Sequence, residues 1–367
     1  MKLIKILFCN ILILFSFFGI LLLLPPLVGT IYLKFKNMSD NLENIEIANF
    51  PNYIGQNWVQ KHFKELKKLN TEYNDFIVWR RKDFKGATIN ITDGLRHTYV
   101  SENLTFDNEY WVFGGSAIFG MGSNDYGTLP SVIAKKTNRK VINFGESGYI
   151  ARQSLALLND RYIRENSKIK KIVLFYDGVN DVGSRCLKEN DGYSTIRENQ
   201  INNYLYDVNN KWSIRRTFKQ LEEFLSTVIK KVNYSDINYS ESFYICHLDI
   251  QRAKKVARTL VNTWKQAQSI SHKNGDYFLA ILQPSAFLGN PQTDHLNMQE
   301  SLYLIRKKQI ETVYPLIIEQ AKNIGLNFID LSQVFDGNNY YFIDPVHVSP
   351  NAHIIIADKI LDKLDNK

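Results

Sequence analysis

Cysteine is scarce, with three in 367 residues. Cys9 lies within an apolar run, and Cys186 and Cys246 lack metal-ligand spacing, which excludes a thiolate metal site. No clustered His/Cys set for zinc is present either. The Gly-rich run from Gly114 to Gly122 lacks the Lys and the motif order of a phosphate cradle, so neither cofactor nor metal is expected. A concentrated basic stripe is also missing. The 45 basic and 37 acidic residues leave +8, but the lysines come as scattered pairs such as Lys67-Lys68, Lys135-Lys136, Lys230-Lys231 and Lys307-Lys308. That is the pattern of a solvated surface, and no nucleic-acid partner is expected. There is no internal repeat, and the composition is that of an ordinary globular protein.

Charge is absent from Ile6 to Leu33, a run rich in Leu, Ile and Phe bracketed by Lys2, Lys5, Lys34 and Lys36. A bilayer needs about 20 apolar residues, so this run can span one, with Pro25-Pro26 kinking it near one interface. The rival reading is a cleaved signal peptide, against which stand the length of the run and the lack of an A-x-A-like site. The flanking lysines nearly balance and leave the orientation open. A single N-terminal transmembrane helix in residues 1–36 is expected.

Residues 37–108 read as a lead-in subdomain. A helix is expected from Trp58 to Leu69, followed by short apolar segments at Phe76 to Trp79 and Ala87 to Ile89 and a turn at Asp93-Gly94. No chemistry is legible there.

In Trp111 to Gly122, WVFGGSAIFGMG, three apolar residues read as a buried strand and Gly114-Gly115 as a sharp turn. Ser116 therefore sits at a strand tip, where a strand-to-helix turn can lift a hydroxyl clear of the sheet. Alone, the better reading is a serine in a Gly-rich turn, and it is the later stretches that favour a nucleophile. Beyond it the pattern alternates. Helices are expected at about 129–136, 152–164, 250–274, 299–323 and 351–364, with strands at 140–143, 171–176, 277–282 and 327–329. Continuous apolar strands separated by helices predict an α/β fold with a parallel sheet covered on both faces and a site at the strands' carboxyl ends. The alternation is interrupted at about 182–249, a Tyr-, Asn- and Lys-rich insertion expected to form a cap with a helix near 217–230. Cys186 and Cys246 flank it. They read either as a disulfide closing the insertion or as two small core residues.

Four stretches follow strand ends in order: Gly114-Gly115-Ser116, Asn143 to Gly148, Asp177-Gly178-Val179-Asn180-Asp181, and Asp344-Pro345-Val346-His347. Together they resemble the blocks of the SGNH (GDSL-type) hydrolase superfamily, from about Tyr110 onward, skipping the insertion. The resemblance implies a flavodoxin-like three-layer sandwich within residues 109–367. It implies Ser116 as nucleophile, His347 as general base and Asp344 as the carboxylate orienting the imidazole. The implied oxyanion hole joins the backbone N–H groups of Ser116 and Gly148 to the side-chain amide of Asn180, with Gly145 a rival for the glycine role. An Asp three residues before a loop His can reach the ring's second nitrogen. Ser349-Pro350 reads as the cap and first turn of the next helix, and His353 falls within that helix.

Gly115 stands where the family's eponymous block has Asp. This Gly-Gly-Ser variant resembles a branch met in membrane-anchored proteins of bacterial surface-glycan pathways, which places the bulk of the chain outside the cytoplasm. The function implied is a serine esterase acting on O-acyl groups of a carbohydrate or other small substrate. The alternatives are an O-acyltransferase using the same acyl-enzyme on a cell-surface glycan, and a non-catalytic glycan-binding or assembly component. An acylated small molecule or glycan and the membrane are the expected partners.

Overall fold

The computed structural model describes residues 47–164, 167–190, 192–195, 198, 201 and 243–366. The apolar run 6–33 and the helix expected near 217–230 lie outside them. Among the described residues, no helix is long and apolar enough to cross a membrane.

A mixed, mostly parallel sheet carries the site. Its parallel strands are β6 (Thr105–Gly114), β7 (Arg139–Asn143), β8 (Lys170–Asp177), β9 (Tyr277–Leu282) and β10 (Phe328–Asp330), in the spatial order β10-β9-β8-β6-β7. Numbered among themselves, these run 2-1-3-4-5, the flavodoxin-like order. The order reverses between β6 and β8, which pair in parallel from Asn108 with Lys170 to Gly114 with Tyr176. In open α/β sheets, ligands bind beyond the carboxyl ends at such a switch point. Gly114 lies at that end.

Period-two alternation divides the strand residues between two cores. Trp111, Phe113, Val173, Phe175, Phe278 and Ala280 face one way and pack with α4 (Ala151–Arg164), α6 (Ile250–Lys273) and α7 (Ser301–Asn323). Tyr110, Val112, Leu174, Tyr176, Leu279 and Ile281 face the other, against α3 (Leu129–Thr137) and α8 (Pro350–Asp365). Strands buried on both faces must read as continuous apolar runs, which is why these segments stand out in the sequence.

The lead-in region joins the same sheet. Helix α1 (Val59–Leu66) and the hairpin of β1 (Thr71–Asn74) and β2 (Val78–Arg81) precede β3 (Phe84–Lys85), β4 (Asn90–Thr92) and β5 (Leu95–Arg96). These last three pair antiparallel with one another, and β5 pairs with β7, extending the sheet to eight strands. Asp93 and Gly94 turn β4 into β5 with φ of 53° and 69°, the left-handed pair a two-residue hairpin needs.

Helix α5 (Val179–Arg185) follows β8 directly, and Val182 is fully buried in the first core. This helix continues to Arg185, a few residues into the stretch expected at about 182–249. Cys186 and Cys246 are disulfide-bonded, and Leu187 pairs with Tyr244 in an antiparallel bridge beside the bond. Residues 186–187 and 244–246 therefore form a clamped stem. Of the two readings of these cysteines, the bonded one holds.

Candidate active site

Three blocks follow directly from the ends of β6, β7 and β8, whereas the fourth, expected at a strand end, lies on the loop between β10 and α8, flanked by the Phe342–Val348 bridge. At Gly114 an added Cβ would lie 2.5 Å from Tyr176 O, so only glycine lets β6 turn this close to β8. At Gly115 a Cβ would collide with the Asn180 amide nitrogen. This gives a physical reason for glycine at 115: Asn180 is packed directly against the Gly115–Ser116 turn. Ser116 opens the short helix α2 (Ser116–Phe119), so its N–H has no acceptor within that helix.

Three side chains form a hydrogen-bonded series. Ser116 Oγ–H donates to His347 Nε2 at 2.6 Å, and His347 Nδ1–H donates to Asp344 Oδ2 at 2.6 Å. Asp344 Oδ1 accepts from the backbone N–H groups of Val346 and His347, both at 2.8 Å. Burial raises the Asp344 pKa, but the charge of His347 and these hydrogen bonds together bring it below the ordinary carboxylate value. An ionised Asp344 can only accept, which fixes the His347 tautomer. For His347, burial disfavours the imidazolium. The charge of Asp344 and its hydrogen bond outweigh burial, and the pKa lies above the ordinary 6.5.

Asn180 Nδ2 donates to Tyr149 O at 2.8 Å. A primary amide has two N–H groups, so this bond fixes the rotamer and leaves a second donor beside the Gly115–Ser116 turn. Gly148 precedes Tyr149 with φ of 82°, a left-handed conformation suited to glycine. Its rival Gly145 donates its N–H to Asn143 Oδ1 at 2.9 Å, and a Cβ there would lie 2.7 Å from Ile118 C. Gly145 is thus a packing glycine under α2. His353 is also set apart: it is buried, hydrogen-bonded through Nδ1 to Gly127 O at 2.8 Å, and burial pulls its pKa down to about 4.

The sequence gives no sign of what braces the second block. Trp79 Nε1 donates to Ser147 O at 3.2 Å, Arg80 Nη1 to Phe144 O at 3.0 Å, and Arg81 N to Glu146 Oε2 at 2.8 Å. Arg81 Nε also pairs with Glu146 Oε1 at 3.1 Å, while Tyr149 OH donates to Trp79 O. Hairpin β1–β2 therefore holds the loop on both sides of Gly148. Arg96 on β5 likewise clamps the turn after α2, donating to Phe119 O at 2.7 Å, Gly120 O at 2.6 Å and Ser123 O at 2.6 Å. Beneath the third block, Asp181 accepts from Arg185 at 2.6 Å and from Ala151 N at 3.1 Å, and Asp177 accepts from Trp264 Nε1 at 2.9 Å. Among the described residues, no group of His, Cys, Asp and Glu is arranged to hold a metal.

A serine, histidine and aspartate in hydrogen-bond series at a parallel sheet's carboxyl edge form the triad arrangement of serine hydrolases. The four blocks meet there in the order the sequence resemblance to the SGNH superfamily implies. No family model and no curated protein matches the chain. Among similar solved structures is a lipolytic protein of the G-D-S-L family from Veillonella parvula, at 12% identity and TM-score 0.38 over 69% of this chain and 96% of that one. A carbohydrate acetylesterase family member from Sinorhizobium meliloti matches at 13% identity and TM-score 0.38 over 70% and 97%. The lipase Lip_vut3 from a goat rumen metagenome matches at 14% and 0.41, over 70% and 97%. At that level of likeness, the weight falls on the geometry of the site.

His347 and His353 predict different pH profiles. A general base must be neutral, so with His347 in that role kcat/KM rises with pH through a midpoint above 6.5. Were His353 the base, the midpoint would fall near 4. A pH–rate profile on a non-ionising ester separates the two.

Proposed function

We propose that this chain is a serine esterase of the SGNH type that removes O-acyl groups from a carbohydrate or other small ester substrate. The Ser116–His347–Asp344 series, with both links at 2.6 Å, carries the reading. Ser116 Oγ attacks the ester carbonyl while its proton passes to His347 Nε2, and Asp344 stabilises the imidazolium. The N–H groups of Ser116 and Gly148 and the Asn180 amide receive the charge that develops on the carbonyl oxygen. His347 then returns the proton to the leaving alcohol, which departs and leaves the acyl group on Ser116. A water, deprotonated by His347, attacks the acyl-enzyme and frees the acid.

An acylated oligosaccharide, incubated with and without an acceptor sugar, tests this reading by its products. Free acid at the same rate in both supports hydrolysis. Acyl transfer to the acceptor would make the chain an O-acyltransferase instead. A folded protein that binds the glycan but turns over no ester would be the non-catalytic component.

We further propose that residues 6–33 anchor the chain and that the catalytic domain faces outward. The Cys186–Cys246 disulfide supports this, because structural disulfides persist in oxidising compartments. It closes a separation of 60 residues, for which loop entropy alone gives about 4 kcal/mol. A C-terminal fusion to a reporter active only after export is expected to be active. Cys186 and Cys246 should resist thiol reagents until reductant is added. An inactive but well-expressed fusion, or freely reactive thiols, would place the domain in the cytoplasm.

A further inference from the structure

A cavity of about 160 Å³ opens beside the triad, and its walls differ chemically from the triad itself. It shares Asn180 with the third block and Val346 with the loop carrying His347. A group seated in it is therefore attached to, or very near, the reacting ester. Val179 and Val182 of α5, Ile310 of α7 and Phe287 make the lining largely apolar. Among the described residues, Arg306 is the only ionisable acid or base in the lining apart from the Tyr244 phenol, and no carboxylate lines the cavity.

Arg306 is exposed on α7 and lines the cavity with one side-chain anchor. Its Nε donates to Tyr244 OH at 3.3 Å. Tyr244 is buried and sits in the stem that the Cys186–Cys246 disulfide clamps, so the guanidinium is tied to a fixed point. Among the described residues Arg306 forms no ion pair. Helix α7 offers it none, because its neighbours three and four residues away are Leu302, Tyr303, Gln309 and Ile310. With Nε engaged, the two terminal nitrogens remain, and their planar fork matches a carboxylate.

We propose that the ester this site acts on carries a carboxylate close to the acyl linkage, and that Arg306 is the residue that selects it. This rests on the esterase reading of Ser116 and goes beyond it by naming the substrate class. The carboxylate can belong to either half of the ester: the far end of a short dicarboxylic acyl group, or the acid of a uronic sugar bearing the acyl group. An apolar cavity of this size accepts a short acyl chain in the first case and a ring face in the second.

The full-length protein, Arg306→Gln and Arg306→Lys are assayed on three esters. 4-Nitrophenyl acetate is neutral, 4-nitrophenyl hemisuccinate carries its acid in the acyl half, and O-acetylated glucuronate carries it in the alcohol half. The natural protein is expected to turn over one of the charged esters with ~10- to 100-fold higher kcat/KM than its neutral counterpart, the range of a charge-assisted hydrogen bond. Methyl O-acetylglucoside serves as counterpart to the glucuronate. R306Q loses this preference through KM while its activity on 4-nitrophenyl acetate stays within about two-fold. R306K recovers only part of it, having charge without the fork.

The charged ester that responds identifies which half carries the acid. Equal rates on charged and neutral esters, or an equal loss on all of them in R306Q, overturn the proposal. Calorimetric binding of succinate and of glucuronate gives a readout independent of turnover. If R306Q binds both as the natural protein does, the proposal is also overturned. If the binding difference holds but no ester is turned over and Ser116 is not labelled, the esterase reading fails instead.

Discussion

Ser116→Ala and His347→Ala are each expected to abolish nearly all activity, leaving only ~10³–10⁴-fold over the uncatalysed reaction from binding and the oxyanion donors. The two losses should be of similar size and should not add, because attack needs both groups in one step. A serine-directed phosphonate should label Ser116 and no other serine. Two rivals are disfavoured by their surroundings. Ser285 is buried and donates to Pro345 O at 3.2 Å, and the Ser147 hydroxyl faces Met121 Sδ at 3.6 Å. Neither touches a histidine. Mass-spectrometric mapping to Ser147 or Ser285, or an active Ser116→Ala protein, would end the assignment. The Ser116 hydroxyl has His347 as its described partner, so melting temperatures of natural and Ser116→Ala protein should be close.

Asn180→Ala is expected to lower kcat by roughly 10²–10³ with KM little changed, the loss seen when one oxyanion donor is removed. Its donated bond to Tyr149 O complicates the test, because losing it costs about 1 kcal/mol of stability as well. Measuring the melting temperature beside the kinetics separates the two effects. A small drop in stability with the full loss of kcat fits a donor to the transition state. A variant that unfolds, or that loses substrate affinity at unchanged kcat, makes Asn180 a structural or binding residue.

Where the chain buries both faces of a strand, the sequence announces it. Val173 to Tyr176 and Phe278 to Leu282 are unbroken apolar runs because helices cover both sides, and helix boundaries fall within a few residues of expectation. Strands β3 and β5 have two residues each and β4 three, too short for any period to register. Their pairing partners are set by the tertiary fold. The blocks after β6, β7 and β8 are legible because their residue types are unusual at strand ends, and the fourth because an Asp precedes a His by three residues in a loop. The braces are not, since Trp79, Arg80 and Arg96 act mostly on backbone oxygens, and a carbonyl leaves no trace in sequence. The choice between Gly145 and Gly148 likewise needed coordinates: one glycine packs under α2 with its N–H engaged, and the other adopts a left-handed φ. The disulfide remained open for a similar reason. Sixty residues of separation say nothing about whether two sulfurs meet.

Ser116 and His347, the proposed nucleophile and base, are 231 residues apart. At ordinary rates of protein synthesis, His347 leaves the ribosome roughly 10–50 s after Ser116. Through that interval the nascent chain has its serine and the first strands of the sheet but no base, no orienting carboxylate and no α8 to fix their loop. Reactivity is thus the last property the chain acquires. On the esterase reading, a chain that stalls or is clipped before Asp344 leaves no stray esterase behind.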